Sequence, residues 1–351
     1  MKKIKYLFFL FLFLFIGFAV YVLTLDSTFT VTRSRTIDAP ANLVFNQIGD
    51  LKNWDKWSPW KEKDTAMVLE FSKTTNKEGD YFHFKDENGN YPKLTNLTLK
   101  PDSLIVQSLA TQDQIQELRW KIIPQEKGVK LEWTISGELP LTQRIYAKQM
   151  DGMIGPLMTR GLERIDEAVH RDMEKRETKI DKIVDLGSNY YLYETASSKM
   201  EDLGKKMDSI LPEVLIYAIK NRIKMNGKPF TIYEKYDTEN NSVIFSSCVP
   251  TVEKIEADNP NILTGKTPGG KYLRSIFTGD YKFLREGWSA TYDSLKRIKH
   301  LQIDSTRNPF EKYTKGHTVS LNPADWQTEI YIPVKEKEVE IQKTVKEGDN
   351  E

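Results

Sequence analysis

The start of the chain is one unbroken run of apolar side chains. Residues 6–25 include no charged residue, and about 20 apolar residues in a helix are enough to cross a hydrocarbon core of roughly 30 Å. Lys2, Lys3 and Lys5 precede the run, and basic flanking residues stay on the cytoplasmic side of a membrane. The pattern predicts a membrane-spanning anchor with the N-terminus in the cytoplasm and the soluble part outside it.

A cleaved signal peptide is the alternative interpretation of this run. The apolar core of a signal peptide is usually about 7–15 residues long and ends in small residues at the cleavage site. The run here is longer, and residues 24–29, TLDSTF, match such a site poorly. We therefore predict an uncleaved anchor, and under both interpretations the soluble part leaves the cytoplasm.

Residues 29–177 alternate between apolar and polar positions over most of their length. In residues 129–136 the apolar side chains of Val129, Leu131 and Trp133 fall on one face, which indicates a strand. Apolar residues at helical spacing predict one long amphipathic helix from Met150. Further strands are predicted at residues 29–37, 67–72, 80–85, 94–99, 104–109 and 115–123, with a tight turn at residues 89–90. An antiparallel sheet wrapped around such a helix would enclose a cavity.

Four short motifs add a family resemblance to this pattern. They are RTIDAP at residues 35–40, VF at 44–45, DL at 50–51 and WDKWSPW at 54–60. With the order of elements, they resemble the helix-grip fold of the START and polyketide-cyclase superfamily (SRPBCC). The resemblance implies a cavity that binds or transforms apolar molecules. We interpret the tryptophan-rich loop as structural packing, with a plug over the cavity as the alternative.

Residues 181–335 contain a repeat of their own pattern. KPFxxY at residues 228–233 recurs as NPFxxY at residues 308–313, and each copy is followed by a strand that ends in proline, at Pro250 and Pro333. Each copy also begins with a strand and a helix. The repeat predicts two βαββ units that pack side by side, with the helices on one face and a groove between the repeats.

The motifs of the second copy resemble a second family. Tyr272 with TGDY at residues 278–281, and WQTEIYIPV at residues 326–334, are similar to the GyrI-like domain, the effector-binding module of multidrug-sensing transcription regulators. The whole chain is thus predicted to be α+β, with an N-terminal transmembrane helix, a helix-grip domain and a GyrI-like domain of two repeated βαββ units.

The GyrI-like resemblance implies a ligand pocket around Glu329, because the acid of the family's final strand faces cationic or aromatic ligands. Tyr281, Trp288 and Tyr331 are the implied aromatic walls. When the repeats are aligned, Ser246 falls opposite Glu329, so the acid occurs in one copy only. This asymmetry favours a pocket over simple packing. The alternatives are a solvent-facing glutamate and core aromatic side chains.

Composition and charge exclude several other functions. The 351 residues include 51 basic and 50 acidic side chains, which gives no bulk attraction to nucleic acid. No helix-turn-helix pattern is visible, so a DNA-bound regulator is rejected. Cys248 is the single cysteine and the four histidines are scattered. We therefore predict no disulfide, no metal site, no cofactor and no nucleic-acid partner, while protein partners stay unknown.

These patterns and the two resemblances predict a bacterial, membrane-tethered protein that binds small apolar or cationic aromatic molecules, as a sensor or carrier in the cell envelope. The alternative is a hydrolase of small electrophiles in which Glu329 activates a water molecule. Residues 171–182 are predicted to be a helix end and linker. The predicted domains are residues 1–28 (anchor and tether, with the bilayer contacted through 6–25), 29–177 (helix-grip), 181–335 (GyrI-like) and 336–351 (disordered charged tail).

Overall fold

The protein divides into two compact units, Met1–Asp172 and Met173–Glu351. The computed structural model describes residues 2–64, 67–84, 91–111 and 114–337. The turn predicted at residues 89–90, and residues 338–351 of the predicted disordered tail, lie outside the described residues.

The N-terminal unit begins with the apolar helix α1, Lys2–Leu23. Within it, Ile4–Leu23 is a stretch of 20 residues that is long and apolar enough to cross a membrane. Nearly all of its large side chains are exposed. The predicted apolar helix is confirmed. The helix of a signal sequence can be similarly long and apolar.

A seven-stranded antiparallel sheet and the long helix α5 make up the rest of this unit. The sheet order is β1-β7-β6-β5-β4-β3-β2. The elements are β1 Thr28–Ile37, α2 Ala41–Gly49, α3 Trp54–Trp57, α4 Pro59–Lys63, β2 Leu69–Phe71, β3 Tyr81–Phe84, β4 Lys93–Lys100, β5 Leu104–Ala110, β6 Ile115–Pro124, β7 Val129–Glu138 and α5 Met150–Met173. The predicted α+β class is confirmed.

Tryptophan side chains fill the core of this unit. Trp120 and Trp133 stack with ring centroids 4.2 Å apart, and Trp57 meets both rings edge-on at 5.7 and 6.3 Å. α5 comes so close to the sheet that a Cβ atom on Gly161 would lie 2.9 Å from the Trp133 ring. Because Trp57 is fully buried, the packing interpretation of the tryptophan-rich loop is confirmed there.

A nine-stranded sheet with two helices forms the C-terminal unit. The main path runs β12-β9-β11-β10-β15-β16-β13-β8, and β14 pairs with β16. The elements are β8 Glu177–Leu186, β9 Tyr190–Lys199, α6 Leu203–Lys220, β10 Phe230–Asp237, β11 Ser242–Thr251, β12 Leu263–Lys266, β13 Gly270–Thr278, α7 Leu284–Arg297, β14 Leu301–Ile303, β15 Phe310–Lys315 and β16 Gln327–Glu336. The order β9-β11-β10 is mirrored by β15-β16-β13, which confirms the two βαββ repeats.

β8 shows that the linker prediction for residues 171–182 was wrong from Glu177 onward. This strand pairs antiparallel with β13 along the edge of the sheet. A register shift beside Asp181 breaks the two-residue alternation. As a result, Ile180 packs on the helix side of the sheet and Val184 on the other. The apolar residues therefore do not show the regular spacing that identifies a strand in a sequence.

The two helices of the C-terminal unit pack on one face of its sheet. α6 contacts β9 and β11, and α7 contacts β8, β13 and β16. The central strands β10 and β15 run between these two groups of strands. The opposite face carries a separate buried cluster that includes Phe230, Tyr272, Phe310 and Tyr331. The two faces of the central strands therefore present different chemistry.

Candidate ligand-binding site

The register of the central strands places one carboxylate on the helix side of the sheet. Glu311 of β15 lies opposite Thr231 of β10 and Ile330 of β16. Directly opposite residues point to the same face of a sheet, and Ile330 belongs to the core under α7. The Glu311 side chain therefore faces the helix side, where it lies among Tyr233, Tyr281, Trp288 and Tyr313. We call these five residues the helix-side cleft.

Both carboxylate oxygens of Glu311 accept hydrogen bonds inside this cleft. The Trp288 indole N–H donates to Oε2 at 2.8 Å, and the Tyr313 hydroxyl donates to Oε1 at 2.6 Å. The Tyr313 hydroxyl is also hydrogen-bonded to the Thr231 hydroxyl at 2.9 Å. With 1% of its surface exposed, Glu311 is held in one orientation by α7 and by its own strand.

Aromatic rings surround the hydrogen-bonded carboxylate. Tyr233 meets Trp288 edge-on with centroids 5.3 Å apart, and Tyr281 lies 5.7 Å from Tyr313. Tyr281 also packs on Trp326 at 4.8 Å. Tyr281 and Trp288 are both half-buried, so part of each side chain is exposed to solvent on the side of the sheet where Glu311 lies.

The charge of Glu311 has no cationic partner in the part of the chain that the structure describes. Burial raises the pKa of its carboxyl, and the hydrogen bonds from Tyr313 and Trp288 oppose that shift. Burial, followed by the nearby Glu311 charge, raises the pKa of Tyr281 to about 12. An uncompensated carboxylate among aromatic faces is complementary to a cation with an apolar body.

The structure separates the four residues that the sequence predicted as ligand-binding. Tyr281 and Trp288 lie in the helix-side cleft, whereas Glu329 and Tyr331 lie on the opposite face of the sheet. Glu329 is in register with Ile276 and Lys312, one position away from the helix-facing Ile330. The expectation that all four residues share one groove was therefore wrong. Alternation shows which residues share a face but not which face the helices cover.

Glu329 also differs from Glu311 in its partners. The Tyr331 hydroxyl donates to its Oε2 at 2.6 Å, and the Arg274 guanidinium lies 3.5 Å from its Oε1. Arg274 forms a second, shorter ion pair with Asp181. Glu329 therefore already has a cationic partner within the protein, the Arg274 guanidinium.

The sequence repeat itself singles out Glu311. Phe230 pairs with Cys248 and Phe310 pairs with Tyr331, which confirms the predicted alignment of the two copies. In that alignment the twin of Glu311 is Thr231. The acid again occurs in one copy only, inside the very motif that revealed the repeat.

Comparison with known proteins gives a family match for the C-terminal part. Residues 178–334 match the family described as Cass2, integron-associated effector binding protein. No curated protein sequence matches the chain.

Two solved structures illustrate what the chain is similar to. The crystal structure of the EcmrR C-terminal domain is 16% identical with a TM-score of 0.39, and the match covers 46% of this chain and 99% of that one. A Thalictrum norcoclaurine synthase, solved with a transition-state analogue, is 11% identical with a TM-score of 0.33, covering 41% and 95%. The family match confirms the predicted resemblance of the C-terminal part to an effector-binding domain.

Proposed function

We propose that the C-terminal unit binds small cationic aromatic molecules in the helix-side cleft, with Glu311 as their charge partner. One observation carries this proposal: a carboxylate that is 1% exposed accepts two hydrogen bonds yet has no cation among the described residues. A buried charge without a partner is costly. A cationic ligand supplies the missing partner, and the family match to effector-binding proteins supports such a role.

Ligand entry requires local movement in the cleft. Glu311 is closed off by the two side chains that donate to it, so a ligand cation must displace Trp288 or Tyr313 from a carboxylate oxygen. The faces of Tyr281 and Trp288 then become available for stacking and cation–π contact. The ligand class therefore combines a positive charge with a flat apolar body.

The hydrolase alternative gains no support from the arrangement of Glu329. Its two oxygens contact Tyr331 and Arg274, so a water molecule has to share the carboxylate with these two partners. Binding is the simpler use of a hydrogen-bonded carboxylate in an aromatic setting.

We further propose that α1 tethers this binding module to the membrane and keeps it in the cell envelope, as a sensor or carrier. Support comes from the 20-residue apolar stretch Ile4–Leu23 and from the three lysines that precede residue 6. A ligand would then reach the cleft from outside the cytoplasm or from the bilayer.

Replacing Glu311 by Gln tests the proposed charge partner. We expect Glu311→Gln to weaken binding of a cationic aromatic dye by about tenfold or more, because a hydrogen bond to a charged group contributes about 1.5–3 kcal/mol. Glu329→Gln is the matched control and should bind the dye like the unaltered protein. Fluorescence anisotropy of the dye with the full-length protein in nonionic detergent measures both affinities.

A neutral dye of the same shape separates charge from packing. Its affinity should be the same for the unaltered protein and Glu311→Gln. Loss of dye binding in Glu329→Gln but not in Glu311→Gln would instead place the ligand on the opposite face, as the sequence predicted.

The raised pKa of Glu311 predicts a pH dependence for binding and stability. Because its folded-state pKa lies above 4.5, Glu311 stays protonated to higher pH than an exposed glutamate, and a cation favours its ionised form. Dye affinity should therefore rise with pH through the raised pKa, with proton release on binding. The contribution of this carboxyl to the free energy of unfolding is fully present at pH values below the pKa of Glu311 in the unfolded chain. It is lost as pH rises through the higher pKa of Glu311 in the folded protein.

Calorimetry in two buffers of different ionisation enthalpy measures the released proton, and thermal melts measure the stability. Both effects should disappear in Glu311→Gln. An equal proton release by that variant would show that another group titrates.

Fractionation of cells tests the tether. A membrane anchor predicts that the protein stays in the membrane fraction after a high-pH wash and retains Met1 at its N-terminus. A soluble protein whose first residue lies beyond residue 23 would show that α1 is a cleaved signal sequence.

A further inference from the structure

On the sheet face opposite the helix-side cleft, we propose a second ligand site, which takes a small aromatic monocarboxylate. A cavity of about 110 Å³ opens there between the ends of the central strands and the loops beside them. Phe230, Tyr272, Phe310, Pro250, Lys228 and Lys312 are among its lining residues. This second site is independent of the ligand site proposed around Glu311, because it shares no lining residue with the helix-side cleft.

The floor of this cavity is a set of mutually supporting rings. Phe310 meets Phe230 and Tyr272 edge-on, with centroids 5.8 and 5.4 Å apart. On its face, Phe310 is stacked on Tyr331 at 4.5 Å and 11°. All four rings are buried, so they hold a fixed apolar surface. At about 110 Å³ the cavity is smaller than the roughly 150 Å³ that encloses benzene, so it accommodates at most one aromatic ring, with the polar end of the ligand outside.

Two lysines give the cavity its charge preference. Lys228 and Lys312 are the charged residues that line it, and neither forms an ion pair within the described part of the chain. Lys312 lies directly opposite Phe230 in the sheet, and Lys228 precedes Phe230 by two positions. Both lysines therefore enter the cavity beside the same ring.

The Lys312 side chain contacts an aromatic ring and forms no ion pair with a carboxylate of the described residues. Its ammonium lies 5.3 Å from the centroid of the Tyr331 ring. The acid in register with it is Glu329, which is already engaged by Tyr331 and Arg274. The positive charge at this cavity is thus available to a ligand.

The cavity is open to solvent, and part of its lining is polar. Gly187 and Gly227 line it beside Asn189, Asn226 and Thr267, and Gly227 adopts a φ of +114° that favours glycine. A Cβ atom on Gly187 would meet nothing within 4 Å and one on Gly227 would lie 3.8 Å from Pro250, so the space beside both glycines is free for a ring. The carboxylate of the ligand then lies near Lys228 and Lys312, where charge-assisted hydrogen bonds form.

This arrangement gives the two faces of β15 opposite charge preferences. Glu311 faces the helix side and its neighbour Lys312 faces the cavity, because successive strand residues point to opposite sides. A cationic ligand is repelled by the two unpaired lysines, so it is not a competitor for this site.

Fluorobenzoate is the probe that tests the site, with the full-length protein in nonionic detergent and fluorine NMR as the readout. We expect saturable binding that is about tenfold weaker in Lys312→Met, which removes one charge-assisted contact. Lys312→Arg should keep the affinity within about threefold, since the charge remains. Lys235→Met is the matched control, because Lys235 is an exposed lysine on β10 outside the cavity, and it should bind like the unaltered protein.

Three results would overturn the proposal: no saturable binding, equal affinity in Lys312→Met, or equal affinity for the neutral fluorobenzamide. Displacement of fluorobenzoate by inorganic phosphate at a similar concentration would show that the site recognises any anion, and would contradict the proposed preference for an aromatic ring. Glu311→Gln should leave fluorobenzoate binding unchanged. A negative result with the cationic dye therefore does not contradict the carboxylate site, and a negative result with fluorobenzoate does not contradict the cation site at Glu311.

Discussion

The pairing of β10 with β15 joins the two repeats, and both ligand sites depend on its register. Thr231 lies opposite Glu311, and Phe230 lies opposite Lys312. Because side chains alternate between faces, a slip by one residue would move each of them to the other side of the sheet. It would bury the Lys312 ammonium against the helices and expose Glu311 on the aromatic floor. The buried ring cluster on one side and the helices on the other oppose such a slip.

The carboxylate at this junction is costly for the fold. An ionised group in an apolar setting destabilises a protein by several kcal/mol unless it is paired. Hydrogen bonds from Trp288 and Tyr313 offset part of that cost. In the other copy the equivalent residue is Thr231, a neutral side chain that is also fully buried and hydrogen-bonded. A neutral residue therefore meets the packing needs of this position, and a ligand explains why one copy carries a charge.

Much of the fold followed from local patterns in the sequence. The apolar run predicted α1, the alternation of Val129, Leu131 and Trp133 predicted β7, and helical spacing predicted α5. The recurrence of KPFxxY as NPFxxY predicted the two repeats and their alignment. The first three of these signals each lie within a short window, where periodicity reports directly on secondary structure.

The position of the candidate site and the strand β8 could not be predicted from the sequence, for two physical reasons. Alternation places Glu329 and Tyr331 on a common face but does not say which face α6 and α7 cover, since that depends on tertiary packing. The register shift beside Asp181 interrupts the pattern of β8, so a strand looked like a linker. In the N-terminal unit, the contact between Trp133 and Gly161 is likewise set by how α5 packs on the sheet.

A crystal structure of the protein with a bound cationic aromatic compound tests the central claim most directly. The claim predicts the ligand nitrogen within ion-pair distance of a Glu311 oxygen and the ring against Tyr281 and Trp288, with one of the two hydrogen bonds to Glu311 replaced by the ligand. A compound seated against Glu329 and Tyr331, with both hydrogen bonds to Glu311 intact, would contradict it.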